Sequence, residues 1–233
     1  MASISLLTSV LFAAAVVLTV GIFLSAVRKA DSSSFSTKFV IFIIPFWMMF
    51  QAILGIGGFY RDFGSFPPRI VIFGVLPAVV VLVSLLAYAK ESLVYRLPIP
   101  TLTILHAIRL PVEYVLHRLY VEGAVPVQMT YEGHNFDILS GISAVVVYLI
   151  AFKGGATKRS LLIVWNLGAL LLLAVIVTTA ALAVPSPIQT IAFDRPNVGI
   201  LYFPFIWLPT IVVPIVLFCH LASLAKLISG RTA

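Results

Sequence analysis

The chain has 233 residues, 61% hydrophobic and 10% charged, with a mean hydropathy of +1.15 and a formal net charge of +7. A soluble domain keeps roughly a quarter of its residues charged, so these charges are too few to coat a water-facing globule. The basic residues form no stripe interleaved with aromatics, which excludes a nucleic-acid surface, and the single cysteine, Cys219, excludes an internal disulfide.

Seven apolar segments read as membrane spans, since a helix of about 20 residues crosses the hydrocarbon core. The first, Ile4–Val27, is too long for the core of a signal peptide. No positive charge precedes it, and Arg28 and Lys29 follow, so it reads as a retained span. Phe39–Phe59 carries Pro45 and ends in the run Gly55-Ile56-Gly57-Gly58; Ile70–Ala89 is uniformly apolar. Pro98–Tyr120 holds most of the ionisable groups. The connection from Val121 to Phe136 mixes turn formers with two glutamates, a histidine and an asparagine. Asp137–Phe152 is the shortest span, and Leu161–Val184 carries Asn166. Val198–Leu224 contains Pro204, Pro209 and Pro214, which predict a bent or locally unwound helix. Cys219 lies in that apolar run and reads as a buried structural thiol.

Orientation follows from Lys and Arg in alternate connections. One side holds ten (Arg28, Lys29, Lys38, Lys90, Arg96, Lys153, Lys158, Arg159, Lys226 and Arg231), the other four (Arg61, Arg69, Arg118 and Arg195). The N-terminus is therefore expected outside and the C-terminus in the cytoplasm. The fold expected is an all-α polytopic transmembrane helix bundle of about seven spans, forming one domain over residues 1–233.

The fourth span carries a polar stripe. At 100° per residue, and with His106 at zero, Arg109 falls at about 300°, Glu113 at about 340° and His117 at about 20°. Ionisable groups in a span are costly and turn toward a bundle interior or a water-filled cavity. Arg109 and Glu113 are four residues apart, as are Glu113 and His117, so Glu113 can bridge both and a buried Arg109–Glu113 pair is expected. Glu122, Glu132, His134, Asn135 and Asp137 follow in the next connection, and Asp194 and Asn197 precede the last span at the same predicted level. They are expected to converge on one outward-opening polar site that responds to external pH or cation, because histidine titrates near neutrality. The ligand or proton site is thus expected from His106, Arg109, Glu113, His117, Glu132, His134, Asn135, Asp137 and Asp194. An Arg–Glu pair can also simply lock helices together, and Asn135 or Asp137 can simply cap a helix.

Imidazole and carboxylate suit zinc and related divalent ions. A metal would take His117, His134 and Asp137 (or Asp194) from separate segments, with no HExxH to support it. A sparser inner set comprises His106, Asn166 and His220. Its histidines could clasp a haem, but no CxxCH attachment signal is present and two separate core histidines are the ordinary outcome. A retinal protein needs a lysine midway along its last helix, whereas Lys226 lies at the end. Ceramidase-like hydrolases carry paired late histidines, whereas His220 stands alone, and no Pro-Gln pair marks a PQ-loop transporter. The partners expected are the lipid bilayer and a small polar solute, proton or cation. The function expected is binding or transport. The alternatives are a membrane-embedded metal-assisted hydrolase or a non-catalytic subunit whose charged stripe docks partner helices.

Overall fold

The computed structural model describes residues 4–133, 135–155 and 157–231, and among them every regular element is helical. Seven helices follow in chain order: α1 Leu6–Ala30, α2 Phe35–Ile56, α3 Val71–Tyr88, α4 Ile99–Val121, α5 Asp137–Ala151, α6 Arg159–Ala183 and α7 Leu208–Ile228. All but α5 are long and apolar enough to cross a membrane. The 15 residues of α5 rise about 22 Å, short of the roughly 30 Å hydrocarbon core.

Local chemistry sets the ends. Ser5 and Ser34 are N-caps whose hydroxyls accept from the Thr8 and Thr37 amides at 3.2 Å. The expected seventh span, Val198–Leu224, begins ten residues late. Residues before proline are pushed out of helical backbone, and the stretch before Leu208 forms a 3₁₀ turn at Gly199–Leu201 and further turns. The local unwinding expected from the prolines is a π turn at Leu208–Val212, and a second π turn, Val71–Val75, opens α3. A π turn displaces carbonyls from the normal ladder, and α2 supplies donors to both turns. Gln51 Nε2 donates to Phe73 O at 2.9 Å, and Trp47 Nε1 donates to Thr210 O at 3.0 Å. The turns approach closely because residue 74 is glycine: a Cβ there would lie 2.7 Å from Thr210 Cγ2.

α4 and α7 form the centre, with 61% and 67% of their most apolar stretches buried, against 17% for α2 and 11% for α3. α4 packs on α1, α5 and α7, while α7 also carries α3 and α6 on its flanks. α2 and α3 are apolar all round yet mostly uncovered, the pattern of helices that meet an apolar solvent. Three connections (57–70, 122–136 and 184–207) gather at one end of the bundle, here the loop end. The connection after α4 folds inward there, burying Val125, Met129, Thr130 and Asn135.

Candidate functional site

α4 is the least apolar of the six long helices. Within it a 3₁₀ turn at His106–Ile108 replaces part of the expected uniform helix. Such a turn advances about 120° per residue rather than 100°, which carries Arg109, Glu113 and His117 to about 0°, 40° and 80° from His106. The first three therefore share a buried face, at 0%, 3% and 2% exposed for His106, Arg109 and Glu113. His117 leaves that face and is partly exposed.

Arg109 is the hub. Its Nη1 donates to Asp137 Oδ1 at 2.7 Å, and its Nη2 lies 2.9 Å from His220 Nε2. The expected Arg109–Glu113 pair is not formed: the ion pair goes to Asp137 instead. Gly141 in α5 lies at this contact, where a Cβ would lie 3.2 Å from Arg109 Cβ and 3.1 Å from Leu110 Cγ, closer than ordinary packing. Its missing side chain lets the first turns of α5 lie against α4, with Asp137 at the guanidinium.

From Asp137 the network continues to Asn135. The Asp137 amide donates to Asn135 Oδ1 at 3.0 Å. Asn135 Nδ2 donates to Glu113 Oε2 at 2.6 Å and to Met129 O at 3.0 Å. In the other direction, arginine can only donate, so His220 Nε2 carries a lone pair and its proton sits on Nδ1. That Nδ1 faces Asn166 Oδ1 at 2.7 Å, and Asn166 Nδ2 donates to Leu162 O at 2.7 Å. The expected inner set is thus joined to the carboxylates through Arg109.

His106 completes this centre by stacking. Its ring lies 3.8 Å from that of His220, at 17°, with Trp165 edge-on at 5.3 Å. Two imidazoles in face-to-face contact leave no gap for a haem, which removes that arrangement. Neither nitrogen of His106 has a hydrogen-bond partner among the described residues, nor has Arg109 Nε. Leaving a buried polar group unpaired costs about 1–3 kcal/mol each, so the centre is not optimised for stability alone.

The remaining site residues separate into other groups. His117 Nε2 pairs with Glu132 Oε1 at 2.9 Å, its ring stacked on Tyr131 at 4.9 Å, near the surface of the loop end. Glu122 clasps the start of α1, accepting from Ser5 Oγ at 2.8 Å, Thr8 Oγ1 at 2.7 Å and Arg118 Nη2 at 3.1 Å. Burial works against its ionisation, but these hydrogen bonds outweigh it and hold the carboxyl below its ordinary range. Asp194 is exposed and bonds to none of these groups. Asn197 is buried, its amide bound to Ala183 O. His134 lies outside the described residues. Among the described residues no three His, Cys, Asp or Glu side chains converge as metal ligands. His117 and Asp137, two members of the expected metal set, bond to different partners.

Beside the carboxylates lies a cavity of about 230 Å³. Glu113, Asp137 and Ser186 are its polar lining. Val71 and Val75 of α3, Leu116 of α4, Leu173 and Val177 of α6, and Pro209 of α7 contribute to its apolar walls. Both π turns therefore face it. Sequence reasoning missed this cavity, together with Ser186 and the spacing role of Gly141, because helical periodicity says nothing about which helices leave a gap.

Among the described residues, fold and site together define an all-helical protein with six helices long and apolar enough to cross a membrane, around a buried Arg–carboxylate–histidine centre. The chain belongs to the family described as Domain of unknown function (DUF8737), matched over residues 67–228. That stretch contains α3 to α7 and every member of the network from His106 to His220. No curated protein and no solved structure matches the chain.

Proposed function

We propose that this chain is an integral membrane protein of about seven crossings, N-terminus outside and C-terminus cytoplasmic, that binds or transports a small solute or proton at the Arg109–Asp137–Glu113 centre. The six long apolar helices and the ten-to-four distribution of basic residues support the membrane topology. In that topology the loop end is the outer end, and the short α5 begins at depth because its connection folds into the bundle, where irregular backbone is tolerated only when covered by protein.

One observation carries the functional half: two buried carboxyls, one tied to an arginine and one not, wall the same cavity. A docking role for the stripe would place it on the outside of the isolated bundle, whereas His106, Arg109 and Glu113 are enclosed. A charged network this deep is expensive to desolvate, and replacing it with apolar side chains would often stabilise the fold. Such a network, with His106 nitrogens that have no partner among the described residues and a cavity adjoining it, is the pattern of a working site.

The test pairs two readouts on protein purified into nanodiscs and proteoliposomes. Native mass spectrometry asks whether a small molecule stays bound. A pH-sensitive dye inside the vesicles asks whether an imposed gradient moves protons. Wild-type protein should give at least one signal, and E113Q and D137N should lose it while remaining folded. A wild-type chain that retains nothing and moves no protons contradicts the proposal.

A further inference from the structure

Resting on the reading of Glu113 and Asp137 as a ligand site, we propose that its ligand is an amphiphile with a cationic amine head and an apolar chain, which reaches Glu113 sideways from the bilayer through a cleft between α3 and α6. Charge complementarity selects the head. Arg109 is engaged by Asp137, and no basic side chain among the described residues forms an ion pair with Glu113. Its described partner is the neutral amide of Asn135. An ammonium group at Glu113 would complete a set of two carboxyls and two cations and add a charge-assisted hydrogen bond in a desolvated setting. Ser186, whose buried hydroxyl has no hydrogen-bond partner among the described residues, lines the same cavity and can receive a second polar group of the head.

The walls select the body. Apart from Glu113, Asp137 and Ser186, every described residue that lines the cavity is apolar. A solute polar on all sides would leave its groups unpaired against that surface, whereas an apolar chain would not. The cavity also continues. A second one, of about 430 Å³ and lined only by apolar residues, shares Val75, Leu173, Val177, Pro209 and Val213 with the first and extends to Leu217. From Pro209 to Leu217 is about 12 Å along the helix. An extended chain with its head at Glu113 would follow that course between α3 and α6.

The opening selects the route. α3 and α6 each pack on α7, which floors the cleft. Val71 and Val177, lining residues contributed by the two flanking helices, remain 40% and 42% exposed. That surface belongs to the apolar flank of the bundle, so in a bilayer the cleft meets lipid.

Equilibrium binding of radiolabelled dodecylamine to wild-type chain in nanodiscs tests this, with dodecanoate, dodecanol and ethanolamine as comparators and protein-free nanodiscs as the blank for partitioning into lipid. Dodecylamine should bind saturably, one per chain, and roughly tenfold or more weaker in E113Q, the scale of one lost charge-assisted contact. V177W, which fills the cleft and leaves both carboxyls in place, should also weaken it. If E113Q does not fold, competition on the wild type decides, and the amine must outcompete dodecanoate and dodecanol by a similar factor. Equal binding of dodecanoate or dodecanol overturns the choice of head. Glu113-dependent binding of ethanolamine with no gain from the alkyl chain overturns the amphiphile and its lateral route, while leaving the proposed ligand site standing. Absence of Glu113-dependent binding by every probe overturns the inference. The proposed function falls with it only if the retention and proton-flux tests are also negative.

Discussion

Arg109→Met is the perturbation that discriminates most sharply among accounts of the centre. It keeps much of the side chain's length and apolar stem while removing the donor to Asp137 at 2.7 Å and to His220 at 2.9 Å. Asp137 is 6% exposed, so the single substitution strands a carboxyl in a desolvated place, and breaking one side of a buried pair costs about 3–5 kcal/mol. At 2–4 °C per kcal/mol for a chain of this size, the melting midpoint should fall by roughly 6–20 °C. D137N should cost a comparable amount by stranding the guanidinium. The double variant R109M/D137N should recover a large part of the loss, because two residues in contact are not additive. Intrinsic-fluorescence melting in nanodiscs reads all three. An unchanged midpoint for R109M, or a double variant whose loss is the sum of the singles, would refute the reasoning that this pair holds α4 against α5.

Gln51→Leu removes the donor to Phe73 O in the α3 π turn and should cost about 1–3 kcal/mol in the same assay; a neutral effect would show that the turn does not depend on α2. Glu122 gives a pH signature. Its carboxyl is depressed in the folded chain, so it stabilises above the ordinary carboxylate value of about 4.3 and loses that contribution as pH falls through the depressed value. A melting series from pH 7 to 3 should therefore show wild type converging on E122Q at the acid end. Asp31, held low chiefly by Ser33, acts with the same sign in both proteins and cancels in the difference. A gap that persists unchanged to pH 3 contradicts the clasp. Gly133→Ala would place a Cβ 2.3 Å from Val127 O, a backbone atom that cannot swing aside, so it should destabilise the folded-in connection and increase hydrogen exchange at Met129 and Asn135.

The helices were legible in the sequence because the signal is local. Long apolar runs broken by charge give α1, α2, α3 and α6 to within a few residues at most boundaries, and the prolines foretold unwinding where α7 has its π turn. The start of α7 was misplaced because hydropathy continues through Gly199–Phe205 while the backbone there does not stay helical. In the site, periodicity placed His106, Arg109 and Glu113 together on a hidden face. It failed for His117 because one 3₁₀ turn rotates everything after it. Pairing was the weaker inference. Arg109 and Glu113 are neighbours along α4, yet the partner chosen is Asp137, 28 residues away, across a close helix contact at Gly141. The link from Arg109 to His220 spans 111 residues and has no local signature at all.

The most direct test of the central claim is an experimental density map, at side-chain resolution, of the chain extracted with its native lipid and held in nanodiscs. The account predicts Arg109 between Asp137 and His220, with elongated non-protein density beside Glu113 running toward Leu217 between α3 and α6. A map in which the side chains of α3, α6 and α7 close that space, or in which Glu113 is paired with a basic residue of the chain itself, contradicts it.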